Sequence, residues 1–237
     1  MQTDGLYEFA VEGSQYQQRS YPYGKISKVY RRENSESAEF LIHWSTSSKL
    51  NPESPRASAR VKIHSAEDFV KFNVELNSIP IKADRVGKDV LVDWYFLDDF
   101  DTGGKLWVDA NGLQMVDKKL FARKEYRYNS TATVPANWYP ITSAIAIRDV
   151  NTSSPYGKLQ RQITILNDRS QGGSAGLRGN KNIELMQHRR FKKHDTYGLE
   201  EPVNDLDIFG KGIQVPATYY LIFTNRASQN ERASVSL

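Results

Sequence analysis

The stretch Ala59–Leu76, ARVKIHSAEDFVKFNVEL, decides the fold. Ala59, Val61 and Ile63 alternate with Arg60, Lys62 and His64, and Phe72, Val74 and Leu76 alternate with Asn73 and Glu75. A period of two puts successive side chains on opposite sides of an extended strand, one side buried and the other wetter. The charged segment from Ala66 to Phe72 is the one helix-length candidate, and it passes into the strand pattern almost at once.

The same period recurs outward. Phe40, Ile42 and Trp44 alternate with Leu41 and His43. Further strands are expected at Lys25 to Tyr30, Val90 to Phe96, Leu106 to Val108, Ala144 to Arg148, Gln162 to Leu166, Ile183 to His188 and Thr218 to Phe223. Asn51-Pro52, Ser54-Pro55, Thr102-Gly103-Gly104 and Asn111-Gly112 supply the reversals between them. Many short strands with punctuating turns predict an all-β, antiparallel β-sandwich with few or no helices. No repeat and no low-complexity linker divides the chain, so residues 1–223 are expected to form one sandwich region, with 224–237 a polar, frayed tail.

Composition narrows the function classes. The 237 residues are 39% hydrophobic and 25% charged, as in ordinary globular proteins, and 13 Tyr, 10 Phe and 4 Trp suit pleated, half-buried surfaces. A formal charge of +4 is too small to point to nucleic acid as a partner, and no run of 18 apolar residues marks a membrane-spanning helix. The absence of cysteine removes disulfides, thiolate chemistry and Cys-type zinc sites. The first thirty residues lack the apolar core of a signal peptide. Asn129-Ser130-Thr131 and Asn151-Thr152-Ser153 are acceptor triplets for N-glycosylation in turn-like sequence.

Several clusters could carry chemistry. Asp98, Asp99 and Asp101 precede Asp109-Ala110-Asn111-Gly112. Such carboxylates can act as acid and base, or bind calcium, but the calcium-loop pattern lacks a ligand and its closing glutamate. The competing reading is an acidic hairpin in which Asp and Asn shape the turns. His43, His64, His188 and His194 lack the close spacing of zinc ligands, so this chain is not expected to bind metal by itself. No G-x-S-x-G elbow is present. Gly172-Gly173-Ser174-Ala175-Gly176 lacks the Lys-Ser/Thr pair of a phosphate loop and reads as a mobile turn or as backbone that needs positive φ. The basic run Arg189 to His194 is followed by Asp195, Glu200 and Glu201, which offset it locally. If the strand at Ile183 runs on to Arg190, Arg189 and Arg190 point to opposite sides and only one can enter a given pocket.

An ordered series of short segments carries a resemblance. Asp4-Gly5-Leu6-Tyr7-Glu8-Phe9 is followed by Ile79-Pro80-Ile81, Gly87-Lys88-Asp89-Val90, Trp107-Val108-Asp109-Ala110-Asn111-Gly112, Asn137-Trp138-Tyr139-Pro140 and Ala146-Ile147-Arg148-Asp149. Next come Asp168-Arg169-Ser170-Gln171-Gly172-Gly173, Glu184-Leu185-Met186, His188-Arg189-Arg190, Asp195 with Gly198, and Glu201-Pro202. Across residues 4 to 205 this order resembles the C-terminal β-rich region of the family 38 α-mannosidases, the lysosomal type in particular. Trp107 and Trp138 stand where that pattern commonly has tyrosines.

The resemblance implies a galactose-mutarotase-like sandwich packed on an N-terminal catalytic barrel. It implies retaining hydrolysis of terminal α-mannose from N-glycans, a mannose-containing oligosaccharide as ligand, and zinc held by the barrel rather than by this chain. It also implies a lysosomal, vacuolar or secreted location. Tyr7, Arg189 and Arg190 stand where the family brings a tyrosine and arginines to the sugar, and no catalytic residue is expected here. Two rivals remain: a free-standing carbohydrate-binding module using Trp107, Trp138 and Tyr139, and a structural remnant of a truncated gene.

Overall fold

The structure is a computed structural model that describes residues 5–12, 17–22, 25–45, 56–81, 87–96, 100–122, 135–150, 161–177, 181–194 and 200–225, with the backbone alone at 5–12, 17–22, 25, 135 and 225. Its strands are β1 (Gly5–Glu12), β2 (Gln17–Pro22), β3 (Lys25–Glu33), β4 (Ser37–Ser45), β5 (Ala57–His64), β6 (Phe69–Leu76), β7 (Gly87–Tyr95) and β8 (Lys105–Ala110). They continue as β9 (Gln114–Lys119), β10 (Tyr139–Ile141), β11 (Ala144–Arg148), β12 (Arg161–Asn167), β13 (Gln171–Ala175), β14 (Asn182–Phe191) and β15 (Ala217–Asn225). Among the described residues the helical structure is a single 3-10 turn, Pro135–Asn137. The all-β, antiparallel architecture expected from the alternation is therefore present.

The chain divides into two compact units, one of residues 1–94 and 184–220, the other of residues 95–183 and 221–237. In the first unit, β3, β4, β5 and β6 form an antiparallel meander with β15 beside β6, and β14, β7, β1 and β2 form a second sheet. The meander carries the pattern read from the sequence. Phe40, Ile42 and Trp44 of β4 stand opposite Val61, Ala59 and Ala57 of β5, which stand opposite Phe72, Val74 and Leu76 of β6. Three strands thus align their apolar positions in cross-strand rows, the arrangement that stabilises a sheet face. Trp44, Ala57, Ala59, Val74 and Leu76 are buried. On the other side Arg60 reaches Glu39 at 2.6 Å across the ladder. Ser65 to Asp68 form the turn of the β5–β6 hairpin, where the Ala66 N–H donates to His64 Nδ1 at 3.1 Å.

The two sheets of this unit face each other through aromatic packing. Trp94 of β7 meets Tyr219 of β15 edge-on at 4.9 Å and Phe72 of β6 at 6.1 Å. Such edge-to-face pairs contribute about 0.5–1.5 kcal/mol beyond the area they bury. Gln187 of β14 adds a polar tie, its Nε2 donating to Val74 O and Val215 O at 2.9 Å each.

In the second unit β12, β11, β8 and β9 lie side by side, and β10 pairs with β13. Ile145 and Ile147 of β11 stand opposite Ile165 and Ile163 of β12, all buried. β8 and β9 reverse at Asn111-Gly112, where φ is 54° and 73°, the left-handed region that Asn and Gly tolerate. The mobile turn expected at Gly172-Gly173 is instead strand: both residues lie in β13, opposite Pro140 and Tyr139 of β10. The ladder to β10 satisfies their backbone groups, while the other reading, backbone needing positive φ, holds at Gly176, where φ is 69°. Five strands escaped individual expectation, namely β1, β2, β9, β10 and β13. Their sequences, such as QQRSYP in β2 and QMVDKK in β9, lack a clean apolar alternation.

Candidate functional site

β14 ends in the sequence His188-Arg189-Arg190-Phe191, and the structure separates the two arginines. Arg189 is exposed. Its Nε donates to Asp89 Oδ1 of β7 at 3.0 Å, and its guanidinium carbon lies 4.9 Å from the centre of the Phe191 ring. Phe191 in turn lies on Gly87, where an added Cβ would come 2.5 Å from the ring and 2.7 Å from Arg190 O. A residue without a side chain at position 87 therefore lets the ring lie flat enough to support Arg189. Asp89 is largely buried, and that burial pushes its carboxyl pKa up; the facing Arg189 charge and hydrogen bond pull the other way without cancelling it. The result is a polar face made of a guanidinium, a carboxylate and an aromatic ring.

Arg190 turns to the other side and is half-buried. Its Nε donates to Asn204 Oδ1 at 2.8 Å and its Nη1 to Ile79 O at 2.7 Å. Gly212 lies against the same side chain, since a Cβ there would come 2.7 Å from Nη1. With its fork committed to Asn204 and Ile79, Arg190 ties two loops to β14. Arg189 is the one whose guanidinium faces outward. Asp89, Asn204 and Gly212 had no role assigned from the sequence. The only hint was an acid, Asp89, set in an apolar strand.

Tyr7 lies in β1, in register with Leu91 of β7 on one side and Pro22 of β2 on the other. Asp89 pairs with Phe9 in the same ladder, two positions along. Tyr7 thus shares a sheet with the Asp89–Arg189 pair. His188 is half-buried, and its pKa is lowered from 6.5, first by burial and further by the Arg190 charge. Asp205 and a hydrogen bond with the Ile213 backbone act against that shift.

The acidic hairpin is a turn device. Asp109 is buried, with Oδ1 accepting from Gly112 N at 2.7 Å and Oδ2 from Ser143 N at 3.1 Å and Ser143 Oγ at 2.7 Å. Asp101 accepts from Gly103 N at 2.8 Å. These carboxylates shape turns, the second of the two readings above; Asp98 and Asp99 lie outside the described residues. Trp107 and Tyr139 are half-buried with a cation over each ring, Arg148 at 4.3 Å and Lys118 at 5.8 Å. Trp138 is half-buried too. Among the described residues no group of three or more His, Asp or Glu side chains is placed to hold a metal ion. No helix there is long and apolar enough to cross a membrane. Asn129, Asn151 and Asp195 lie outside the described residues.

The guanidinium, carboxylate and ring thus sit on β14 and β7, neighbouring interior strands of one sheet. The chain is 28% identical over 214 residues to lysosomal α-mannosidase of Bos taurus, covering 85% of this chain and 19% of that protein. It is 32% identical over 143 residues to lysosomal α-mannosidase of Homo sapiens, covering 60% of this chain and 13% of that protein. An α-mannosidase from Enterococcus faecalis shares its fold over 94% of this chain and 26% of that one, with a TM-score of 0.61 at 12% identity. A family 38 glycosyl hydrolase from the same organism superposes with a TM-score of 0.54. No family model matches. The chain thus resembles a region of the family 38 α-mannosidases in sequence and in fold, and spans less than a fifth of the length of its curated mammalian relatives.

Proposed function

We propose that this chain is the C-terminal β-sandwich portion of a family 38 α-mannosidase and forms one wall of its sugar pocket. The observation that carries the reading is similarity over 85% of the chain to one region of a lysosomal α-mannosidase. In this reading the catalytic barrel lies in the rest of the enzyme and holds zinc and the nucleophile. A carboxylate of the barrel would displace the glycosidic oxygen from the anomeric carbon of a terminal α-mannose, an acid protonating that oxygen as it leaves, and water would then hydrolyse the glycosyl-enzyme to mannose and free carboxylate. Zinc supplies Lewis-acid polarisation when bound. This chain supplies Tyr7 and the outward-facing Arg189 as hydrogen-bond donors toward the mannose-containing oligosaccharide, while Arg190 holds the neighbouring loops. The names of the mammalian relatives support a lysosomal or vacuolar location.

The isolated chain is then inactive. The test is turnover of an aryl α-mannoside by the intact polypeptide and by residues 1–237 alone. Turnover by the intact polypeptide only is the expected result. Turnover by residues 1–237, free of contaminating enzyme, would overturn the assignment. Calorimetric binding of mannosides to the isolated chain without any catalytic partner would favour a free-standing binding module.

A further inference from the structure

We infer that the open edge of β3 receives an extended, acidic segment of a partner protein as an added strand. β3 is the terminal strand of its sheet: it pairs with β4, and among the described residues no strand pairs with its other edge. Its side chains from Ile26 to Glu33 are exposed, Ile26 at 58%, Val29 at 57% and Tyr30 at 51%. A nine-residue edge strand with three large apolar side chains in water is a template for strand pairing. The main chain sets which groups are offered. Asn34 N donates to Ser37 O at 2.9 Å at the head of the β3–β4 hairpin. Bonded and non-bonded pairs alternate along an antiparallel ladder, so the pairs Arg32–Glu39 and Tyr30–Leu41 bond across to β4. Val29, Arg31 and Glu33 then turn their N–H and C=O groups away from β4, toward the open edge. The register shift between Ile26 and Lys28 breaks the ladder near its start, and from Lys28 to Glu33 the register is continuous.

Charge decides the occupant. Lys28 and Arg32 share one face of β3, with Tyr30 between them. Glu39, opposite Arg32, is already engaged by Arg60 at 2.6 Å, and Lys62 and Lys71 continue the same cross-strand row. On the other face Arg31 pairs with Glu33. Pairing β3 with a second copy of itself about Tyr30 would set Lys28 opposite Arg32, and about Arg31 would set two guanidinium groups opposite each other. Such facing like charges act against self-pairing. An added strand with acids opposite Lys28 and Arg32 and an apolar residue opposite Tyr30 meets each of these groups. Main-chain bonds to Val29, Arg31 and Glu33 then supply affinity, and the alternate side chains supply selection.

The test uses the intact polypeptide and a fluorescein-labelled probe, the peptide Thr-Glu-Val-Tyr-Val-Glu-Thr, read by fluorescence anisotropy. Saturable binding is the expected result. Val29→Pro removes an outward N–H and should weaken it about tenfold or more. Lys28→Glu combined with Arg32→Glu should weaken it to a similar degree, about tenfold, and should take up instead the probe carrying lysines in place of its glutamates. That gain is one a misfolded protein would not show. Absence of binding to the unsubstituted polypeptide, or binding unchanged in these variants, would overturn the proposal. So would equal binding of a probe N-methylated at both valines, which would reduce the surface to charge alone. A sedimentation coefficient that falls on Val29→Pro with no uptake of the probe would assign the edge to a second copy and overturn it too. Mannoside turnover plays no part in these readouts, so the inference stands or falls apart from the enzyme assignment.

Discussion

Phe191 lies on Gly87 so closely that a methyl group at position 87 would sit 2.5 Å from the ring. The same methyl would come 2.7 Å from the Arg190 carbonyl, which is backbone and cannot swing away. The contact joins β7 to β14 and sets the platform on which Arg189 rests. Gly87→Ala should therefore destabilise the chain by about 1–3 kcal/mol through overpacking. In the intact enzyme it should also weaken sugar binding, because Arg189 loses its support. A urea midpoint equal to that of the unsubstituted protein would contradict the first part.

The two arginines should separate in stability measurements. Arg190→Met leaves Ile79 O and Asn204 without their donor, at a cost of about 1–3 kcal/mol. Arg189→Met removes the half-exposed partner of a largely buried Asp89 and should cost less, about 1 kcal/mol. In the intact enzyme the order should invert for KM, with Arg189→Met the more harmful. Denaturation and steady-state kinetics on the two variants check both halves.

Asp109 should behave as a structural carboxylate. Asp109→Ala strands three donors at Gly112 and Ser143 and should cost about 2–4 kcal/mol. Below its unfolding transition, the intact Asp109→Ala enzyme should keep kcat within about twofold, since both carboxylate oxygens are committed to Gly112 and Ser143. A large loss of kcat in folded enzyme would return Asp109 to the catalytic candidates.

His188 makes stability depend on pH. Its folded pKa lies below 6.5, so at and just below 6.5 the unfolded chain holds a proton that the folded chain does not. Stability from this group is intact above 6.5 and declines as pH falls toward the folded value. Asp205 and Arg190 face the same ring and are kept in the comparison. His188→Gln should lose less stability than the unsubstituted protein between about pH 7.5 and about pH 5. Asp89 acts with the opposite sign: its raised pKa means its contribution is whole below 3.8 and is lost as pH rises through the folded value. Urea midpoints from about pH 3 to about pH 7.5 for the unsubstituted protein, His188→Gln and Asp89→Asn test both signs.

The proposed place of Tyr7 beside the sugar gives a kinetic expectation. Tyr7→Phe in the intact enzyme should raise the barrier for kcat/KM by about 1–3 kcal/mol, the cost of one hydrogen bond. Unchanged kinetics would remove Tyr7 from the pocket.

Sequence by itself determined the strand period of β4, β5 and β6, the reversal at Asn111-Gly112, and the kinship with a region of α-mannosidases. Each depends on local geometry: alternation on the pleat, turns on backbone sterics, kinship on residue order. Tertiary structure alone decided which arginine faces outward and which is committed to loops. It also paired Arg189 with Asp89 at a separation of 100 residues and Arg190 with Ile79 at 111. Strands set that far apart meet only through sheet topology, which no local pattern encodes. For the same reason Gly172-Gly173 read as a loop until β10 arrived beside them to complete their hydrogen bonds.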